Sequence, residues 1–252
     1  MPEAGESTGR GTATRSFRVL QLLLDSERDS LGVREMAAAL RLPPSSVHRL
    51  LGMLHEERLV ARNPDGSYRL GLEFLRLAWK ATARFPLATV ARPVLDQLAE
   101  QTDESALLSV YDADRQLWMF ALAVESRHPL RYHLPMNVWV PLHNSASGFA
   151  IAAFLPAEQQ DASLAANDVA EPDKVRAELA AIAARGYAVS RGQRVHGAAG
   201  VAAPIFDAVG QVAGAVALSI PDQRFSTALE SELGPVVQAA AAEVTQRIGG
   251  ER

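Results

Sequence analysis

Two residues of this sequence have the types and spacing that covalent catalysis would need. His143 and Ser147 lie four residues apart, which on a helix would place an imidazole base beside a hydroxyl nucleophile. A triad also needs an acid that orients the imidazole, and the sequence places none there. The chain has no P-loop, no H-E-x-x-H motif and no Rossmann glycine pattern. We therefore predict no catalytic residue, with a hydrolase as the disfavoured alternative.

Histidine and cysteine usage gives no sign of a metal or cofactor site. The sequence contains no cysteine, which excludes disulfides, thiolate metal sites and iron–sulfur ligation. Six histidines are scattered without the compact spacing of metal ligands: His48, His55, His128, His133, His143 and His196. We expect neither a bound metal nor a cofactor.

A second group of polar residues is interleaved with an apolar repeat. The repeat has the i, i+3, i+4, i+7 spacing of an amphipathic helix and consists of Val47, Leu50, Leu51 and Leu54. Such a helix would bury this stripe and carry four polar residues on its outer face: Ser45, Ser46, His48 and Arg49. An α-helix fits the major groove of B-DNA, where an arginine bonds guanine or a phosphate. The four residues are therefore predicted to contact DNA.

The neighbouring segments supply the rest of a winged helix-turn-helix. A helix is predicted over 16–25, and Val33–Leu40 repeats the apolar spacing fourteen residues before the polar helix. Proline suits the first turn of a helix, so the polar helix is predicted to start at Pro43 or Pro44. Segments 59–62 and 67–70 resemble two short strands around the turn sequence Asn63-Pro64-Asp65-Gly66.

Arg62 and Arg69 flank that turn and are predicted to contact the DNA backbone or minor groove. The charge balance agrees, because residues 1–84 hold 13 basic and 10 acidic side chains, whereas 85–252 hold 12 and 19. Two alternatives stay open. The segment could be a helical bundle with solvated arginines, or a module of the same shape that docks onto protein.

The rest of the chain predicts helices and antiparallel strands. Helices are expected over 87–101, 147–154, 174–185 and 226–248, and strands over 106–111, 116–123, 138–141, 187–190, 200–206 and 211–220. No element is predicted for 156–171. The fold class is thus α+β with two domains. Their boundaries are a disordered tail over 1–14, a winged helix-turn-helix over 15–71, a linker helix over 72–85 and a second domain over 86–252.

No segment looks suited to a membrane. The longest apolar stretches fall far short of the ~20 residues that a bilayer requires, and the N-terminus lacks the apolar core of a signal peptide. We expect a cytoplasmic protein without a membrane partner.

Several motifs together resemble the IclR family of bacterial transcription regulators. They are Leu42–Leu51, Tyr68–Gly71, Val140–Gly148, Gly200–Asp207 and Ala217–Pro221, within a match over about residues 16–249. The resemblance implies a GAF-like effector-binding domain with an antiparallel sheet behind the linker helix. It also implies a homodimer, or a tetramer of paired dimers, on a pseudo-palindromic double-stranded DNA operator. The expected effector is a small organic acid or an aromatic metabolite.

An effector site is expected around Ala146, Ser147 and Gly148, where a loop opens into a helix. Backbone N–H groups there suit a carboxylate, the Ser147 hydroxyl adds a donor, and glycine allows close approach. The resemblance adds Pro129, Tyr132, Val140, Ser190, Gly200, Ala217 and Ser219. Arg131 could pair with a ligand carboxylate, although a surface ion pair is the favoured alternative.

This chain departs from relatives that bind small keto acids. Gly200 and Ala217 stand where such relatives tend to have polar groups. The departure predicts a roomier, more apolar cavity and a larger or more aromatic ligand.

Overall fold

The computed structural model describes residues 4–167 and 169–250, and it divides the chain into two units, 1–84 and 85–252. The first unit contains α1 (Ala4–Leu24), α2 (Val33–Leu40), α3 (Pro44–Glu56), β1 (Val60–Arg62), β2 (Tyr68–Leu70) and α4 (Leu72–Ala83). This order is that of a winged helix-turn-helix followed by a further helix, which confirms the predicted fold.

The first helix starts earlier than the sequence suggested. A disordered tail was expected over 1–14, whereas α1 begins at Ala4, and residues 1–3 lie outside the described residues. No proline interrupts the chain between Ala4 and Leu24. Once the apolar turns near Leu20 have formed, adding further turns costs far less than nucleating a helix, so α1 continues through the polar residues.

The apolar stripe of α3 packs inward, as predicted. Val47, Leu50, Leu51 and Leu54 are buried, and they share a core with residues of α1 and α2 such as Val19, Leu23 and Met36. Pro44 occupies the first helical position of α3 and Pro43 caps it. This core fixes which face of α3 points outward.

The wing is a tight antiparallel pair. Arg62 lies opposite Tyr68, and the Asn63 amide donates to the Ser67 carbonyl at 2.8 Å. Gly66 has a φ of 85°, a conformation that favours glycine. Leu31 forms a bridge with Tyr68, which ties the wing to the segment before α2.

The second unit is a six-stranded antiparallel sheet with helices on both faces. Its helices are α5 (Pro86–Thr102), α6 (Ala146–Ala152), α7 (Ala157–Ala166), α8 (Pro172–Arg185) and α9 (Thr227–Arg247). Its strands are β3 (Ser105–Asp112), β4 (Leu117–Val124), β5 (Val140–Pro141), β6 (Ala188–Arg191), β7 (Ala198–Phe206) and β8 (Val212–Pro221). The strand order is β5-β4-β3-β8-β7-β6.

Alternate residues of the central strands face different helices. Leu108 and Val216 pack with α5 and α9, whereas Leu107 and Ala217 pack with α6 and α8. Helix α7 fills the stretch for which no element was predicted, and it buries only Ser163 and Leu164. The predicted α+β class with an antiparallel sheet is confirmed.

Two glycines of the first unit predict opposite effects on stability. A Cβ on Gly71 would overlap the backbone carbonyl of Arg58, whereas a Cβ on Gly52, in the middle of α3, would meet open space. We expect Gly71→Ala to lower the free energy of unfolding by about 1–3 kcal/mol through overpacking. The control Gly52→Ala should raise it by about 0.5–1 kcal/mol through helix propensity. Denaturant unfolding measures both, and an unchanged Gly71→Ala protein would contradict the packing at the start of α4.

Candidate functional sites

The outer face of α3 carries the four polar residues that the sequence singled out. Ser45, His48 and Arg49 are exposed, and Ser46 is half-buried. The segment has no acidic residue before Glu56. The structure thus brings these side chains together on one surface, and their contact with DNA stays a prediction.

The first turn of α3 offers fewer free amides than a helix without proline would. Pro44 has no N–H, and the Pro43 carbonyl accepts from the Ser46 and Val47 amides at 3.0 and 3.2 Å. Only the Ser45 amide lacks a partner among the described residues. A phosphate at this helix end would therefore meet one backbone donor, with the side chains supplying the rest.

The two wing arginines are both exposed. The Arg69 Nε atom donates to Asn63 Oδ1 at 3.2 Å, and the Arg62 guanidinium lies 5.9 Å from the Tyr68 ring centroid. At the tip, Asp65 accepts hydrogen bonds from the hydroxyl and amide of Ser67, which lower the pKa of its carboxyl group. That carboxylate is thus engaged in holding the turn.

A cavity in the second unit is lined by six of the eleven residues predicted for the effector site. The cavity has an empty volume of about 430 Å³, part of it open to solvent. The six residues are Ala146, Ser147, Ser190, Gly200, Ala217 and Ser219. Three strands bring them together, because Gly200 pairs with both Ser190 and Ser219 across the sheet. The N-terminus of α6 supplies Ala146 and the buried Ser147.

Most of the cavity wall is apolar. Leu107, Phe120 and Leu134 surround the serines. A Cβ on Gly200 would lie 3.2 Å from Ser190 Oγ and 3.4 Å from Ala146 Cβ, so the absence of a side chain there keeps the space open. An apolar wall with a few polar groups is typical of a small-molecule site.

Five predicted residues do not line this cavity. Arg131 forms a surface ion pair, with Nε 2.9 Å from Glu125 Oε2, which is the alternative that the sequence favoured. Pro129 is exposed, Val140 pairs with Trp118 at the sheet edge, and Tyr132 packs its hydroxyl against Gly197.

Gly148 also has a different surrounding from the one expected. A Cβ there would overlap the Leu142 carbonyl and approach Trp118 Nε1, so this glycine allows α6 to pack closely. Its amide lies 3.4 Å from Ser145 Oγ, and α6 has seven residues. Protein packing, and not the approach of a ligand, accounts for the glycine.

Sequence reasoning missed Arg194, which lines the same cavity. Its guanidinium carbon lies 4.9 Å from the ring centroids of both Trp118 and Phe120. The Nη1 atom is buried and has no hydrogen-bond partner among the described residues. Burial lowers the pKa of this guanidinium. Arg194 lies in a loop without periodicity, so no pattern in the sequence distinguished it from other arginines.

The His143 and Ser147 pair is not arranged for catalysis. His143 Nε2 lies 3.0 Å from Ser163 Oγ, and its Nδ1 atom is buried without a partner in the described part of the chain. Burial lowers the pKa of His143, so the imidazole is neutral near pH 7. Among the described residues, no carboxylate forms a hydrogen bond with this imidazole.

Within residues 4–167 and 169–250, no cluster of three or more histidine and acidic side chains is arranged to hold a metal ion. No helix in these residues combines the length and apolarity needed to cross a membrane.

Two domain families match the chain. Residues 12–64 match the family described as the IclR helix-turn-helix domain, and residues 79–246 match that described as the bacterial transcriptional regulator IclR C-terminal domain. The chain is similar to the HTH-type transcriptional regulator Rv1719 of Mycobacterium tuberculosis, with 32% identity over 94% of this chain and 91% of the relative.

Solved structures share the fold. A putative IclR transcriptional regulator from Silicibacter sp. TM1040 is 28% identical and superposes with a TM-score of 0.79, covering 95% of this chain and 97% of that one. An IclR homologue from Microbacterium hydrocarbonoxydans, solved in complex with 4-hydroxybenzoate, is 22% identical with a TM-score of 0.81 over 94% and 98% of the two chains.

The neutral His143 predicts a pH dependence of stability. Its folded-state pKa is lowered from 6.5, so the unfolded chain takes up the proton more readily, and acidification below about pH 6.5 favours unfolding. His143→Gln should lose less stability than the parent protein between about pH 7.5 and 5.5. The control His196→Gln changes an exposed side chain and should follow the parent. Denaturant unfolding at both pH values measures this, and equal losses in all three proteins would contradict it.

Proposed function

Because the chain belongs to the IclR family of bacterial transcriptional regulators, we propose that α3 and the wing contact an operator under the control of a small ligand in the cavity. The chain is a DNA-binding regulator and not an enzyme. The observation that carries the proposal is the outer face of α3. Its exposed His48 and Arg49 stand above a fully buried apolar stripe.

The side chains of α3 have complementary roles at a DNA groove. Arg49 supplies a planar pair of donors that suits guanine O6 and N7, while Ser45, Ser46 and His48 are shorter donors. Arg62 and Arg69 on the wing are suited to phosphates, because each is exposed and makes no ion pair among the described residues. The protein therefore acts at the chromosome, in the cytoplasm.

Exposed apolar side chains support assembly into a homodimer. On α4 they include Leu72, Leu77 and Trp79, with exposures of 74%, 46% and 69%, and on α1 they include Phe17 at 66%. Helix α4 buries none of its residues within this chain. Contact between two copies would cover this surface. A two-fold dimer recognises a pseudo-palindromic operator with half-sites about 34 Å apart, and dimers could pair into tetramers.

The cavity supports a small organic acid or an aromatic metabolite as effector. Its apolar walls suit a hydrocarbon or ring, and its serines suit polar substituents. The complex of the Microbacterium homologue makes 4-hydroxybenzoate a reasonable first probe.

The alternative function is that of a module that docks onto protein and does not bind DNA. The salt dependence of the binding affinity distinguishes these two functions. Neutralising phosphates releases counterions, so affinity for DNA falls steeply with salt, whereas a protein interface responds less. The binding test uses DNA fragments from upstream of the gene and of its neighbours. If no fragment is preferred over random DNA, the proposal is wrong.

Alanine substitutions of the arginines on α3 and on the wing should lower DNA affinity in different patterns. Arg49→Ala should weaken operator binding by about 1–3 kcal/mol and random DNA much less, because a base contact is lost. Arg69→Ala should weaken both DNAs alike and reduce the salt slope by about 1. The control Arg92→Ala removes an arginine paired with Asp96 in the second unit and should leave binding unchanged. Mobility shifts over a range of salt concentrations measure all three affinities. If Arg49→Ala binds the operator as tightly as the parent, α3 is not part of the DNA interface.

A substitution that fills the cavity should abolish the effect of the ligand on DNA affinity. Gly200→Val adds a side chain beside Ser190 and Ala146, and overpacking there should weaken an effector about tenfold or more. Operator affinity is measured with and without 4-hydroxybenzoate, benzoate and pyruvate. Any compound that shifts the affinity of the parent should lose its effect on the variant, which should bind the operator normally without ligand. In the parent, DNA must change ligand affinity by the same factor. If a ligand shifts the operator affinity of Gly200→Val as much as that of the parent, this cavity is not the effector site.

A further inference from the structure

We propose that Arg194 binds the carboxylate of the effector and thereby selects monocarboxylic acids with a flat, apolar body. This inference rests on the proposed function insofar as it assigns the cavity to a ligand. It names the residue and the chemical class that the cavity recognises.

The first argument is an unbalanced charge. Arg194 is the only charged side chain that lines the cavity, and no carboxylate among the described residues lies within ion-pair distance of it. Its Nη1 atom is shielded from solvent and makes no hydrogen bond within the described chain. Burying an unpaired cation is unfavourable, and a bound anion would supply the missing charge and acceptor.

The second argument is the aromatic packing around the guanidinium. Trp118 and Phe120 meet edge to face, with centroids 4.9 Å apart, and Trp118 Nε1 donates to the Pro141 carbonyl at 2.9 Å. Arg194 packs against both rings. Aromatic rings that pack against the face of a guanidinium leave its N–H edge available, and such an edge suits a two-point contact with a carboxylate.

The remaining wall determines which acid fits. The other polar side chains that line the cavity are uncharged: Ser145, Ser147, Ser190, Gln193 and Ser219. With one cation present, a second carboxylate on the ligand would be buried without a counter-charge, so dicarboxylates are disfavoured. Leu107 and Leu134 offer apolar area for the body of the ligand, and the serines offer hydrogen bonds to a hydroxyl substituent.

A purely structural role for Arg194 would make different predictions. If the residue only covered the two aromatic rings, its replacement would change stability and leave ligand selectivity intact. The binding measurement therefore needs probe pairs that differ only in charge. Benzoate with benzamide, 4-hydroxybenzoate with 4-hydroxybenzamide, and phenylacetate with phenylacetamide provide them, and phthalate tests the second carboxylate.

The experiment uses the full chain and three variants, Arg194→Gln, Arg194→Lys and Arg131→Gln. Arg194→Gln removes the charge, and Arg194→Lys keeps the charge without the planar donor pair. Arg131→Gln is the matched control, because it removes an arginine that the sequence associated with the ligand but that pairs with Glu125. Melting temperatures without ligand establish that each variant is folded, and calorimetric titration gives the affinities.

We expect at least one monocarboxylate to bind the parent, with its amide and phthalate at least tenfold weaker. Arg194→Gln should lose about 10- to 100-fold in affinity for that acid, since charge-assisted hydrogen bonds are lost. Arg194→Lys should be intermediate, and Arg131→Gln should match the parent.

The assignment is wrong if Arg194→Gln stays folded and binds the acid within threefold of the parent. It is also wrong if amides bind as tightly as acids, or if no acid of the panel binds. These outcomes are distinct from failure of the proposed function, which is measured by operator binding. An acid that needs Arg194 but leaves DNA affinity unchanged would support this inference and contradict the regulatory coupling.

Discussion

The burial of both faces of the antiparallel sheet is the constraint from which the second unit follows. Helices α5 and α9 cover one face, and α6 and α8 cover the other. The central strands therefore have no solvent-facing side, and small residues under α6 leave the space of this cavity. Gly200 and Ala217 are such residues, and they form a wall of the cavity. The packing of the sheet and the shape of the cavity are thus set by the same positions.

In the first unit, the burial of apolar residues likewise fixes the orientation of a helix. Burial of Val47, Leu50 and Leu51 determines the rotation of α3, and that rotation presents Ser45, His48 and Arg49 outward. Because these polar residues contribute little to the core, packing does not restrict their side chains, which can match the chemistry of a nucleic acid. Side-chain chemistry on one face of a helix is in this way positioned by apolar contacts on the other.

Periodic features were predictable from the sequence, and features that depend on three-dimensional packing were not. The apolar spacing at Val47–Leu54 and the turn at 63–66 gave the winged helix-turn-helix, because local patterns determine them. The start of α1 is not visible in the sequence, because helix propagation depends on the turns that follow it. The sequence also cannot show that Gly148 packs against the Leu142 carbonyl, or that Arg194 is buried beside Trp118 and Phe120. Spacing along the chain carries no information about either contact.

The place of Arg194 in the fold has a consequence for how such regulators diverge. It lies between Gly192 and Gly197, both with positive φ, in the connection from β6 to β7, and not within a strand. Connections of this kind tolerate replacement better than the strands they join, so changes between the two glycines should leave the sheet and its helices folded. New sensing properties would then evolve through a few substitutions without loss of folding. For the same reason, this connection is a practical starting point for engineering biosensors from this protein.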